Sequence, residues 1–147
     1  MARNVVEATV RAAAPREVVW DVLADLRSWE EWGDWQSTGI EREGDPPPHG
    51  VGAVRRMVRR PLTIREQVEL LEPPSRFGYT LLSGLPLRDY HAVVTLSDAG
   101  PGCANIHWES RFDARWRALD APMRAFVRRA IEDVARKVAA EAERRAG

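Results

Sequence analysis

A single cysteine, Cys103, rules out an internal disulfide and any cysteine-based metal cage. It follows Asp98-Ala99-Gly100-Pro101-Gly102, a hairpin-tip sequence in which the thiol reads as incidental. Histidine is scarce too: His49, His91 and His107 share no metal-ligand spacing, so no metal site is expected. The formal net charge is zero. Without a strong field of either sign, neither nucleic acid nor an anionic membrane is an expected partner. Lysine occurs once, at Lys137; arginine supplies the rest of the positive charge, a bias that fits overall composition. No apolar run reaches membrane-spanning length and the N-terminus carries no signal-peptide core, so the expectation is a soluble, cytoplasmic protein with no membrane span. Ser83, Ser97 and Ser110 lack a nucleophile-elbow context. The glycines form no phosphate cradle, and no cofactor is expected.

What the chain does have is a telling order of elements. Asn4 to Ala12 alternates around Val6, Ala8 and Val10, as a half-buried strand does. Pro15 pre-sets a helical turn, and Val18, Val19, Val22, Leu23 and Leu26 give that helix an apolar face. Ser28 is placed to cap a second short helix bearing Trp29 and Trp32, with Trp35 just beyond. A short polar strand around Ile40 runs into Asp45-Pro46-Pro47-Pro48-His49-Gly50, an exposed and mobile loop by composition. Further strands are expected over 51–58, 62–72, 77–83, 88–97 and 104–114, joined by short turns. Short connections favour an antiparallel meander over βαβ units. A long helix from Leu119 to Arg145 closes the chain, with Leu119, Met123, Phe126, Val127, Ala130, Ile131, Val134 and Val138 on one stripe. A sheet with one helix laid across it can leave room between the layers for a small molecule.

Strand alternation assigns the inward faces. Ile64, Val68 and Leu70 share a face that must also carry Glu66; Phe77, Tyr79 and Leu81 share the next. Tyr90, Ala92, Val94 and Leu96 follow, then Ile106, Trp108, Ser110 and Phe112, while His91 and His107 fall outward. The strand from Val51 admits two parities, one inward set being Ala53, Arg55 and Met57, the other Val54, Arg56 and Val58. Glu66 stands out, because an unpaired carboxylate on an apolar face costs several kcal/mol to bury. The turn at Arg59 to Pro61 brings Arg55 opposite Glu66 or one pair away. That pair is either a buried structural couple or a polar anchor for a ligand, with Tyr79 and Tyr90 as further donors.

The pattern as a whole resembles the START-like (SRPBCC, helix-grip) superfamily, and within it the polyketide cyclase/dehydrase group. The resemblance rests on Ala13-Ala14-Pro15-Arg16-Glu17-Val18-Val19-Trp20-Asp21-Val22-Leu23, on Trp29 and Trp32, and on Val51-Gly52-Ala53-Val54-Arg55-Arg56. Ile64-Arg65-Glu66-Gln67-Val68 leading to Glu72-Pro73-Pro74, Arg88-Asp89-Tyr90, Trp108 and the terminal helix extend it over nearly the whole chain. It implies an α+β helix-grip fold: a curved seven-stranded antiparallel sheet around a long C-terminal helix, with two short helices after the first strand, as one START-like domain over 1–147. It also implies a deep pocket for lipids, sterols, polyketides, quinones or hormones, without implying one activity. Three readings follow. In the first, the chain binds a hydrophobic, partly polar small molecule lined by Trp32, Trp35, Arg55, Glu66, Tyr79, Leu81, Tyr90, Trp108, Met123, Phe126 and Val127. In the second, it is a polyketide cyclase or dehydratase, with Glu66, Tyr90 and Arg55 as catalytic candidates. In the third, it is a co-chaperone-like interaction module with a filled core. Monomer and dimer are both open.

Overall fold

The computed structural model describes residues 2–147. Its strands are β1 (Asn4–Ala12), β2 (Ser37–Arg42), β3 (Val54–Arg59), β4 (Leu62–Glu72), β5 (Arg76–Ser83), β6 (Leu87–Asp98) and β7 (Ala104–Ala114). They form one seven-stranded antiparallel sheet in the order β1-β7-β6-β5-β4-β3-β2. Sequential strands are neighbours from β2 to β7, as short turns require; only β1 returns to pair with the last strand. Between β1 and β2 lie α1 (Arg16–Ala24), a 3-10 turn at Leu26–Ser28 and α2 (Trp29–Trp32). Helix α3 (Asp120–Ala146) is 27 residues long and packs on β1, α1 and β7. This is the helix-grip arrangement expected from the sequence.

The α3 stripe divides into two parts. Its C-terminal half buries Ile131, Ala135, Val138, Ala139 and Ala142 against the core. Further toward the N-terminus Val127 is buried, but Phe126 stays 43% exposed and Ala130 is exposed. Because α3 closes on the β1/β7 side, Met57, Ile64, Tyr79 and Leu81 of β3 to β5 border a cavity, while Val68 and Phe77 are buried in the core. Asp120 ties the helix start down: it accepts from Arg3 Nε at 3.0 Å, from Asn4 Nδ2 at 2.9 Å and from the Ala114 amide at 3.2 Å. Such acceptors suit a helix N-terminus, where the dipole favours negative charge.

Several expectations are corrected. Strand β3 starts at Val54 rather than Val51, because Gly52 turns the chain at φ +91°; Val51 makes only an isolated bridge to Asp45. The proline-rich loop is exposed but internally tied, with Gly50 N–H donating to the Pro46 carbonyl at 2.7 Å and Asp45 N–H to that of Val51 at 2.9 Å. Ser28 does not cap α2. Its hydroxyl donates back to the Asp25 carbonyl at 2.8 Å and accepts from Trp32 Nε1 at 3.1 Å. The terminal helix begins at Asp120, since Leu119 closes a preceding 3-10 turn.

Two irregularities interrupt β4, at Arg65/Glu66 and between Val68 and Leu70. The second moves Leu70 off the inward face and lets Leu71 pack on the core instead, as an extra bulge residue must. Leu70 then lies opposite Gly78, where a side chain would come within 2.9 Å of the leucine Cβ. In β6 a bulge between Arg88 and His91 is accompanied by Asp89 at φ +51°. The left-handed residue there re-aims the strand and leaves Tyr90 buried.

Candidate functional site

The open space between β3–β6, the tryptophans around α2, and α3 is a cavity of about 180 Å³. For scale, a cavity of roughly 150 Å³ lined by apolar side chains accepts benzene. Its floor is formed by Met57, Ile64, Tyr79, Leu81, Tyr90 and Trp108, and its helix wall by Phe126, Val127, Ala130, Ile131 and Val134. Trp29, Trp32 and Trp35 form the end wall.

The polar floor is built by register. Arg55 pairs directly with Glu66 across β3 and β4, so the inward parity of β3 is Ala53, Arg55 and Met57, all buried. Arg55 Nη2 donates to Glu66 Oε1 at 2.7 Å. The arginine is only 2% exposed, and its Cζ lies 4.9 Å from the Phe77 ring centre, 5.4 Å from Trp29 and 5.7 Å from Tyr79. Three aromatic rings thus share the guanidinium charge that water would otherwise solvate. Its Nε is enclosed without an acceptor.

Burial pushes the Glu66 carboxyl above the usual carboxylate range, and the adjacent Arg55 charge opposes that rise. Burial also raises both phenols: Tyr90 to about 12, and Tyr79 further, with Tyr90 and Glu66 adding to the effect. Both tyrosines are therefore neutral hydroxyls near pH 7. Trp108 Nε1 donates to the Tyr79 oxygen at 3.2 Å, while the Tyr90 and Ser110 hydroxyls are 2.7 Å apart. The Tyr79 ring is tilted against Tyr90 at 6.0 Å and meets Trp108 edge to face at 6.3 Å.

At the mouth, Lys137 of α3 reaches Asp34, beyond α2, and also bonds Asp133 at 2.8 Å. The single lysine so ties the helix to the tryptophan-bearing segment. Burial works against its charge, but the two carboxylates win and hold its pKa above the ordinary value.

Of the residues expected at the site, Trp32, Trp35, Arg55, Glu66, Tyr79, Leu81, Tyr90, Trp108, Phe126 and Val127 all border the cavity. Met123 does not; it packs against the core. The sequence reading missed Met57, Ile64, Asp34 and Lys137 as lining residues. Strand parity pointed to the first two, and a lone lysine was the only signal for the last. Outside the cavity, Glu7, His107 and Glu109 converge on the exposed face of β1 and β7. His107 bonds Thr9 at 2.9 Å, and Arg111 already engages Glu109 at 2.7 Å.

Residues 3–143 match the family described as polyketide cyclase / dehydrase and lipid transport. The chain belongs to that family. In structure it is similar to the ZhuI aromatase/cyclase from Streptomyces sp. R1128, with a TM-score of 0.80 and 22% identity over 97% of this chain and 94% of that one. A START superfamily protein from Mycobacterium smegmatis has a TM-score of 0.80 at 12% identity, over 95% of this chain and 97% of that one. Norcoclaurine synthase from Thalictrum flavum, in complex with dopamine and hydroxybenzaldehyde, has a TM-score of 0.74 at 13% identity, over 92% and 84%. These likenesses establish the shared fold. A search of curated proteins found no match.

Proposed function

We propose that this protein binds one hydrophobic, partly polar small molecule in the cavity between sheet and α3. The carrying observation is a mostly apolar cavity with one buried Arg55–Glu66 couple and two neutral tyrosines at its floor. Ligand sites have that inventory, apolar walls and a few placed polar groups. The open volume weighs against an interaction module, which calls for a filled core. The test is quenching of tryptophan emission by 1-nitronaphthalene, since four of the six tryptophans border the cavity. Saturable, stoichiometric quenching supports the reading; linear, collisional quenching alone rejects it.

The Glu66 carboxyl favours a second reading, cyclisation or dehydration of a bound polyketide-like chain. A carboxyl whose pKa is raised by burial keeps its proton to a higher pH than an exposed one, which suits it to acid/base work. Arg55 would hold a developing enolate oxygen, and the cavity walls would fix the chain's geometry. If Glu66→Gln turns over a cyclisable substrate at the wild-type rate, Glu66 has no part in the chemistry.

A further inference from the structure

Large exposed apolar side chains are few, and three of the five, Leu82, Trp116 and Phe126, gather at one end of the molecule. The β5–β6 loop joins the other segments there. Gly84 sits so near the start of β4 that a Cβ on it would come within 2.5 Å of the Thr63 carbonyl. The Pro86 carbonyl accepts from the Arg115 amide at 2.8 Å, which places Trp116 beside the loop. Arg59, Leu62, Leu85 and Phe126 all border the cavity. Since Arg59 and Phe126 are also exposed, the mouth of the cavity opens at this end.

Arginine surrounds these side chains. Arg59 and Arg60 lie at the β3–β4 turn, Arg88 follows the β5–β6 loop, Arg115 and Arg117 flank Trp116, and Arg129 follows Phe126 by about one turn of α3. All six are exposed. Among the described residues none of them has a carboxylate within ion-pairing distance, whereas Arg3, Arg65 and Arg111 are held by Asp120, Glu41 and Glu109. The nearby acids are largely spent. Asp120 is bound to Arg3, and Asp34 and Asp133, further along the mouth, are taken by Lys137, which leaves Asp89. The zero net charge of the chain therefore hides a local excess of positive charge.

An exposed tryptophan and phenylalanine among arginines suit the headgroup layer of an anionic bilayer, where rings sink into the interface and guanidinium groups meet phosphates. Trp116 is 58% exposed, and the Arg115 guanidinium lies 4.9 Å from its ring centre. A protein partner asks instead for a contiguous apolar centre with most charge kept to the rim. Here the three apolar side chains come from separate places with arginines between them, and a fluid surface can rearrange to meet such a pattern.

We propose that this end of the molecule docks on an anionic lipid surface, with the mouth of the cavity turned toward the bilayer. The contact is peripheral, since no helix is long and apolar enough to cross a membrane. Passage of a ligand between bilayer and cavity rests on reading the cavity as the ligand site; the docking itself does not.

The experiment is co-sedimentation with vesicles of phosphatidylcholine alone and of phosphatidylcholine with about a third phosphatidylglycerol. The expected result is binding to the anionic vesicles only, weakened at least tenfold between about 0.1 and 0.5 M salt. Arg60→Gln with Arg117→Gln, neither of which borders the cavity, should weaken it about thirtyfold, from the roughly fivefold that each basic residue contributes at such a surface. Trp116→Ala should weaken it severalfold. Arg27→Gln with Arg56→Gln removes the same charge from exposed arginines elsewhere and should change little. Equal loss in the two double variants, or no preference for anionic vesicles, overturns the docking and leaves an acidic protein as the partner of these arginines. Saturable 1-nitronaphthalene binding, measured separately on each variant, keeps the two readings apart. Dye binding without vesicle binding rejects the docking alone, and vesicle binding without dye binding rejects the cavity reading alone.

Discussion

Arg55 and Glu66 are a buried couple held by one register pair. Removing one partner from such a pair typically costs several kcal/mol, because the other charge stays behind; replacing both by apolar groups is often neutral. Glu66→Leu alone should therefore lower the unfolding free energy by about 3 kcal/mol, and Arg55→Met with Glu66→Leu should regain most of it. Urea denaturation of the single and double variants checks this. The carboxyl also links stability to pH. Since burial raises its folded-state pKa above the ordinary 4.5, the native state holds the extra proton between those two values. Its contribution is fully present below 4.5 and is lost as pH rises through the folded pKa. Glu66→Gln should flatten that part of the profile, read as midpoint temperature against pH from 4 to 8.

At the scale of elements, the last turns of α3 are braced from within by Glu141, which accepts from Arg144 Nε and Arg145 Nε at 2.8 Å each. Those bonds depress its pKa to about 2 from 4.5. A depressed carboxyl stabilises above its unfolded-state pKa, and the benefit vanishes as pH falls from 4.5 toward 2. Glu141→Gln should lose stability at pH 7 and show a shallower acid limb, measured by thermal unfolding. The middle of the same helix offers a different test. Ala130 is exposed yet borders the cavity, so Ala130→Trp should plug it, weakening 1-nitronaphthalene binding at least tenfold while shifting the midpoint temperature by only a few degrees.

Most of these elements were legible in the sequence, and particular residues show why. Strand β1, β4 and β7 have the expected bounds because their alternation is uninterrupted by glycine or proline. The inward places of Glu66, Tyr79, Tyr90 and Trp108 follow from parity alone. Arg55 against Arg56 did not, since both parities of β3 are equally basic; only the register across the turn at Pro61 chooses. Leu70 was misplaced because no side-chain pattern announces a bulge. Ser28 failed as a cap because its hydroxyl has a better use, joining Asp25 to Trp32.

At the scale of the whole molecule, the proposed function rests on a mismatch between layers. Helix α3 closes on β1, β7 and α1, leaving the far side of the curved sheet without a partner. The aromatic rings of α2 and β5–β7 narrow the gap without filling it. Sequence could place the residues around such a gap, but the open volume depends on rotamers and helix position, which periodicity does not encode. Occupancy of the gap should stabilise the fold by mass action: a ligand at a hundred times its dissociation constant adds about 2.7 kcal/mol.

Native mass spectrometry of the protein purified from its own host, followed by denaturing extraction, tests the ligand-binding account most directly. The account predicts one small molecule per chain, retained in the native spectrum and released on unfolding, with a mass fitting a cavity of about 180 Å³. A protein that carries nothing, and that also fails to bind 1-nitronaphthalene saturably, would contradict it.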